Sequence, residues 1–226
     1  PAAGLPESLR VGTAAADSFG MHPGRIAGLA RWLLMRYMYR RVANRCSSKG
    51  VVNMDTLQTI LQRRSVRKYR PDPIPDEHLQ QILEAGRQAP SAGNRQPWHL
   101  VVVGDTSQKQ RVAQACNGQM WMAEAAYILV AVGLPQVSEK WYRVDVAIAL
   151  ENVVLAARSL GYGTCWIGAF DPGRVREVCQ IPAEAEVIAC TPLGVPEAWP
   201  AARERKSWDE LFSAERYGRA LELGGG

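Results

Sequence analysis

The sequence lacks a long apolar run. Its most apolar stretches, residues 125–132 and 144–150 of the 226, are far shorter than the roughly 18 residues that a membrane-spanning helix needs. The sequence therefore predicts a protein that does not cross a membrane.

Patterns that mark disulfide frameworks, metal centres and common phosphate loops are also missing. The five cysteines include no C-x-x-C pair, which predicts free thiols and a reducing compartment, the cytoplasm. The three histidines lie far apart and form no metal-ligand pattern, so no metal site is predicted. No GxxxxGK[ST] loop occurs, and Trp166 stands where the third glycine of a dinucleotide GxGxxG motif would be.

Acidic residues are scarce at the start of the chain. Residues 1–53 contain eight Lys and Arg but two acids, whereas the remainder holds 19 basic and 20 acidic residues. The net charge of +5 therefore belongs to the first quarter. A nearly neutral main domain argues against a nucleic-acid-binding protein.

The chain divides at Met54. Residues 1–24 are rich in Ala, Gly, Pro and Ser, which is typical of disorder. Residues 25–45 are arginine-rich, but a helical projection does not separate the charges onto one face. We predict a basic N-terminal extension over 1–53, partly disordered or a loose helix, and a folded domain over 54–226 with a wrapping C-terminal tail. A membrane-surface or targeting helix stays an alternative for 25–45.

Helical and strand patterns interleave from Met54 onward. The patterns predict helices that begin at 55 and 75 and helices over 107–116, 143–160 and 172–179, with strands over 99–103, 127–132, 164–168 and 186–195. Asp55 and Asp171 are the expected N-caps, and Gly161 is the expected residue after the longest helix. The first helix has an apolar stripe of Leu57, Ile60 and Leu61. This order predicts an α/β or α+β sandwich.

Two basic clusters could bind a phosphate. Arg63, Arg64, Ser65 and Arg67 lie within five residues at a predicted helix end, and guanidinium forks match phosphate oxygens. A solvated basic helix end explains the same residues equally well. The second cluster, residues 203–206, could reach the same phosphate or be exposed tail.

Two loops are suited to a flat ligand. Residues 89–98 combine small side chains, which allow close backbone approach, with the amides of Asn94 and Gln96, which can bond to the edge of a heterocycle. Residues 161–170 again mix glycines with bulky apolar side chains around a predicted strand.

Together these segments resemble the flavin-dependent nitroreductase family, and specifically its short members. The resemblance covers about residues 54–218 and rests on RRSVRKY, PSAGNRQPWHLVVV, DVAIALENVVLAARSLGYGTCWIGAF and the basic cluster before ERYG. It implies an α+β fold, a mixed β-sheet flanked by helices in a three-layer α/β/α sandwich. It also implies a homodimer with FMN at the interface.

The resemblance further implies roles for particular residues. Those expected to hold the phosphate and ribityl chain of FMN are Arg63, Arg64, Ser65 and Arg67, completed by Arg205 and Lys206. Those expected in the loop that packs over the flavin ring, often from the partner subunit, are Pro90, Ser91 and Ala92, with Asn94 as the amide that contacts the ring. Those expected along the ring through their backbone are Ile167, Gly168 and Ala169.

The implied activity is that of an FMN-dependent NAD(P)H oxidoreductase. NADH or NADPH would reduce the flavin and leave before a nitroaromatic, quinone or similar flat acceptor takes its place, in a ping-pong cycle. No catalytic acid, base or nucleophile is assigned. Cys165 is interpreted as packing, while Trp121, Trp141 and Tyr142 could line the substrate entrance or belong to the core. Alternatives are a flavin-binding or redox-sensing module without turnover, and a family variant that performs dehalogenation or flavin fragmentation.

Overall fold

The protein is described by a computed structural model over residues 54–222. The predicted extension, residues 1–53, and residues 223–226 lie outside the described residues. The helices are α1 Thr56–Gln62, α2 Asp76–Arg87, α3 Thr106–Ala115, α4 Tyr142–Ser159, α5 Pro172–Cys179 and α6 Trp208–Leu211. The strands are β1 Tyr69–Arg70, β2 Trp98–Val103, β3 Tyr127–Gly133, β4 Gly163–Thr164 and β5 Glu186–Pro196. Single 3₁₀ turns occupy Ala92–Asn94 and Met120–Glu124.

The five strands form one sheet in the order β1-β5-β3-β2, with β4 also paired to β5. Each of these strand pairs is antiparallel. A parallel bridge joins Ser65 to Thr164 of β4. The α+β class with a helix-flanked sheet is confirmed. The one parallel contact of the described sheet is this bridge, which lies beside the predicted anion site.

The core lies on both faces of β3, whose side chains alternate between them. Ile128 and Val130 pack into a cluster that includes Val112 of α3 and Val175 of α5. Leu129 packs on the opposite face with residues of α2 and α4. Helices therefore cover both faces of the sheet, which makes the three-layer α/β/α sandwich.

Short polar residues and glycine set the helix ends as predicted. The side chain of Asp55 accepts from the backbone N–H of Gln58, 2.8 Å away. Asp171 caps α5 by accepting from Gly173 and from the residue after it. Gly161 follows α4 with φ +86°, a left-handed conformation that glycine adopts without steric cost.

The prediction that the apolar stripe of α1 faces the core is wrong. Leu57, Ile60 and Leu61 are 71%, 50% and 72% exposed, whereas Thr59 is buried. The reason is tertiary, because α1 packs on α4 through its polar Thr59 face. Residues 164–168 also form less strand than predicted, since β4 ends at Thr164 and only a bridge at Ile167 follows.

Two further observations, on membrane spans and on metal-ligating groups, hold for the described residues alone. No helix within residues 54–222 has the length and apolarity to cross a bilayer. The same part of the chain contains no group of three or more potential metal-ligating side chains.

Candidate anion and flat-ligand site

The arginine-rich segment lies directly against β4. The backbone N–H of Val66 donates to the Thr164 carbonyl over 2.9 Å, and the Val66 side chain is almost fully buried. A Cβ at Gly163 would lie 2.7 Å from Val66 Cγ2, so the close approach depends on glycine at this position. This contact fixes the backbone that carries Arg63, Ser65 and Arg67.

Cys165 is buried beneath these cations. Burial raises the pKa of the Cys165 thiol, while the charges of Arg67 and Arg63 and a hydrogen bond with Ser65 oppose the rise. The thiol is therefore a protonated, packed group, which agrees with its interpretation as core. Arg63, Ser65 and Arg67 therefore lie near Cys165, the residue that follows β4.

One carboxylate faces this cluster. Glu151 of α4 has Oε1 4.0 Å from Arg63 Nε, and its Oε2 accepts from Trp166 Nε1 at 2.9 Å. Within residues 54–222, the one hydrogen bond of the Arg67 side chain is a long one, 3.5 Å to the Ser65 carbonyl. Positive charge exceeds negative charge at this place, which suits an anion.

Arg64 lies on another side of the segment. Its Nη1 donates to the carbonyls of Leu61 and Arg63, at 2.7 and 2.8 Å. Burial lowers the pKa of the nearby Arg158, and the charge of Arg64 lowers it further. Arg158 in turn stacks 3.7 Å from the ring centre of Trp199. The four-residue block is thus divided, with Arg64 beside Arg158 and the other three beside Cys165.

The loop after α2 forms a turn with amides on its surface. Ser91 Oγ accepts from the Gln96 N–H at 2.9 Å, and Asn94 adopts φ +54°. Pro90 and Asn94 are exposed, whereas Ser91 and Ala92 are half-buried. The N–H of Ala92 lies 3.3 Å from both carboxylate oxygens of Asp145 in α4. The amide side chains therefore remain accessible on a turn that is attached to the helix.

The segment after β4 offers free backbone groups. Ile167 exchanges two hydrogen bonds with Cys190 of β5, at 2.9 and 3.0 Å, and Gln119 Nε2 donates to the Ala169 carbonyl at 3.1 Å. Gly168 is exposed, and a Cβ there would meet no atom within 4 Å. Within residues 54–222, the N–H groups of Gly168 and Ala169 donate to no backbone acceptor. These donors can therefore bind a ligand oxygen or nitrogen.

The late basic pair is separate from these contacts. Arg205 and Lys206 are exposed, and Lys206 Nζ lies 3.9 Å from Glu210 Oε1 in α6. In the described structure, no hydrogen bond or ion pair joins either residue to residues 63–67. Their assignment to the phosphate stays a prediction.

Three aromatic residues that could line the entrance have different surroundings. Trp121 packs against the buried core, so its surroundings favour packing. Trp141 is 44% exposed at the N-terminus of α4. Tyr142 is half-buried, and its hydroxyl hydrogen-bonds to Glu186. An entrance role therefore fits Trp141 best.

Sequence reasoning missed the two acids of α4 that contact the site. Asp145 and Glu151 interrupt an otherwise apolar run, D-V-A-I-A-L-E, and Asp145 is only 3% exposed. An acid inside a core-facing helix is unusual, and this was the available signal. Which segment each acid would contact depends on tertiary packing, which no local pattern encodes.

The fold and these contacts define a three-layer α+β protein with an arginine-rich segment beside a glycine-rich backbone segment. The model of the nitroreductase family matches residues 60–134 and 119–195. The chain therefore belongs to the nitroreductase family, as its motifs predict.

Individual relatives agree with this family. The chain is 35% identical to a protein from Archaeoglobus fulgidus named NADH dehydrogenase/NAD(P)H nitroreductase, over 73% of this chain and 97% of the relative. It is 28% identical to a protein from Bacillus subtilis named FMN reductase [NAD(P)H], over 75% and 77%. Among solved structures, it is similar to the NADPH:FMN oxidoreductase from Vibrio harveyi complexed with NAD+, with a TM-score of 0.67, 28% identity and coverage of 75% and 80%.

Proposed function

We propose that this protein, an FMN-dependent NAD(P)H oxidoreductase, reduces nitroaromatic, quinone or similar flat acceptors in a ping-pong cycle. Relatives named NAD(P)H nitroreductase and FMN reductase support the flavin and nicotinamide chemistry. The observation that carries the proposal is the arginine segment fixed on β4 beside the open backbone at Gly168.

The residues present fit FMN. Two guanidiniums and a hydroxyl, from Arg63, Arg67 and Ser65, suit a phosphate dianion. The exposed N–H groups of Gly168 and Ala169 suit the polar edge of a flat ring. The remaining predicted contacts stay part of the proposal, and they are Arg64, Pro90, Ser91, Ala92, Asn94, Ile167, Arg205 and Lys206.

Bound FMN supplies the redox chemistry, since it accepts a hydride from NAD(P)H and passes electrons to an acceptor. The chain's own residues bind and orient. The phosphate-binding side chains fix one end of the cofactor, and the N–H groups at 168 and 169 stabilise negative charge that develops at the ring edge. Because burial keeps Cys165 protonated, we assign it no proton transfer. One open face at Gly168 would serve donor and acceptor in turn, which is the basis of the ping-pong proposal.

A second copy of the chain is part of the proposal, with FMN at the interface of a homodimer. Large apolar side chains are exposed on α1 and around α6, including Leu61, Trp208 and Phe212. Such a concentration of exposed apolar residues is characteristic of interaction surfaces. Light scattering of the full chain is expected to give twice the monomer mass, and Leu61→Glu is expected to lower it. A monomeric wild type contradicts this part of the proposal.

Domain organisation and location complete the proposal. Residues 54–226 carry the catalytic domain, and residues 1–53 are an extension to it. The described cysteines, Cys116, Cys165, Cys179 and Cys190, are free thiols, which supports a reducing, cytoplasmic compartment.

The absorbance spectrum of the purified protein tests the proposal. The FMN-loaded protein is expected to lose its visible absorbance when NADH or NADPH is added without oxygen, and to recover it when a nitroaromatic or quinone follows. Parallel lines in double-reciprocal plots are expected for a ping-pong cycle. Absence of a flavin spectrum contradicts cofactor binding. A spectrum that nicotinamide does not bleach favours a storage or sensing module, and bleaching without reoxidation by flat acceptors favours another flavin reaction.

A further inference from the structure

Asp145 is a buried carboxylate near the start of α4. It is 3% exposed, and the ion pairs between described residues do not include it. Its only described side-chain hydrogen bonds are the two 3.3 Å contacts from the Ala92 N–H. A buried carboxylate is costly unless hydrogen bonds or charges compensate it. The first turn of a helix lowers that cost but does not explain the contact with a distant loop.

Ala92 begins a turn that has few other attachments. Asn94 and Gln96 bond back to Ser91, at 2.9 Å each. These bonds close the turn on itself. Among the described hydrogen bonds of residues 90–96, the bond from Ala92 to Asp145 is the one that reaches another element of the fold. The chain after the turn is held where the Pro97 carbonyl accepts from the Leu134 N–H at 3.0 Å, so the attachment of the turn itself to α4 depends on this carboxylate.

The same helix also contacts the arginine segment of its own subunit. Glu151, six residues after Asp145, contacts Arg63 and Trp166. Six residues of helix span about 9 Å along its axis. Within one subunit, a single helix therefore supports both the turn and the arginine segment.

We infer that Asp145 is a positioning residue, which holds residues 91–94 at the flavin ring through the Ala92 N–H and does not contact FMN itself. This inference rests on the proposed function. Loss of the carboxylate releases the turn and leaves the phosphate-binding segment in place.

Limited proteolysis of the flavin-free full chain tests the attachment, because Arg95 places a trypsin site inside the turn. Asp145→Ala is expected to speed cleavage after Arg95 by about tenfold, the scale of one lost hydrogen bond to a charged group. Asp145→Asn keeps an acceptor oxygen and is expected to restore most of the protection. The matched control is Asp105→Ala, which removes a carboxylate that accepts from the Gln108 N–H. Unchanged cleavage in Asp145→Ala overturns the inference.

The FMN-loaded protein supplies a readout that a general loss of stability does not give. Asp145→Ala is expected to change the visible spectrum and increase the fluorescence of bound flavin, whereas Asp145→Asn and Asp105→Ala retain the wild-type signal. Faster cleavage with an unchanged flavin signal overturns the role at the ring. If the wild type binds no FMN, the proposed function is wrong, and so is the role of Asp145 at the flavin ring. In that case the cleavage result alone decides whether Asp145 holds the turn.

Hydrogen exchange of the wild type gives a second measurement, which remains valid if Asp145→Ala does not fold. The Ala92 N–H is expected to exchange markedly more slowly than the neighbouring Gly93 N–H, which has no described acceptor. Equal exchange of the two amides overturns the attachment.

Discussion

Two basic segments of this protein are alike in sequence and opposite in structure. Residues 63–67 are fixed on β4 by the Val66 N–H, and the Val66 side chain is buried. Residues 203–206 are exposed throughout, and Lys206 pairs with Glu210, four residues further along the chain. The difference teaches that equal local charge density can have different structural support. Backbone attachment fixes where the charges of residues 63–67 are, and those of residues 203–206 lack it among the described contacts.

This difference has an energetic consequence. Fixing the backbone of one residue costs about 1–2 kcal/mol of conformational entropy. An attached backbone has already lost this entropy when a ligand binds, so arginines on it contribute more net affinity than those on an exposed segment. The predictions below test this comparison.

The largest effect is expected from Arg67→Ala. If Arg67 binds the FMN phosphate as proposed, its loss should weaken FMN binding by about 1.5–3 kcal/mol, the scale of hydrogen bonds to charged groups. Fluorescence titration of flavin-free protein measures the change. Lys68→Ala is the matched control, because it removes the same charge from an exposed neighbour. Equal losses in the two variants would show that general charge, not the attached site, binds the phosphate.

Gly163→Ala should break the attachment itself. The new Cβ would lie 2.7–3.0 Å from three atoms of Val66, so the free energy of unfolding should fall by about 1–3 kcal/mol. Urea denaturation measures it. Gly168→Ala is the control, since its Cβ meets nothing within 4 Å. Gly163→Ala should cost less when it is added to Val66→Ala than when it is added to the wild type, because the contacts with the two Val66 methyl groups are then absent. An equal cost in both backgrounds would contradict the steric cause.

Alkaline pH should loosen the attached segment selectively. Burial raises the pKa of Tyr69, whose hydroxyl donates to the Val66 carbonyl, and burial also raises that of Cys165. Above about pH 8.5 the unfolded chain begins to lose these protons while the folded chain keeps them. The free energy of unfolding should therefore fall as pH rises, by at most about 1.4 kcal/mol per pH unit for each group.

Urea denaturation at several pH values measures this slope. Tyr69→Phe should reduce it, whereas Tyr217→Phe, at a fully exposed tyrosine of the tail, should leave it unchanged. A slope that Tyr69→Phe does not alter assigns the pH dependence to other groups.

The smallest effects are expected in the tail. Arg205→Ala and Lys206→Ala should each weaken FMN binding by about 0.5–1 kcal/mol, because ordering an exposed side chain offsets much of its attraction. Stability should change by no more than about 0.5 kcal/mol. If either variant weakens binding as much as Arg67→Ala, FMN orders the tail into a site as strong as the attached one.

Local chemistry explains what the sequence predicted well. Helix α5 begins and ends at the predicted residues, since Asp171 and the following proline are strong start signals. The parts that failed depend on contacts across the fold. No periodicity indicates that α1 turns Thr59 inward and leaves Leu61 exposed. The sequence motifs predicted that the arginine segment lies near the glycine-rich segment. The contact of Asp145 with the turn could be found only from the tertiary structure.

The parallel bridge from Ser65 to Thr164 joins positions about a hundred residues apart in the chain. Closing so long a loop is slow, and contacts of this range form late in folding. Strand β4 is itself paired with β5. The ribosome must therefore synthesise most of the domain before the arginine segment can pair with β4. The cofactor therefore meets a nearly finished protein, and it stabilises the completed fold instead of nucleating it.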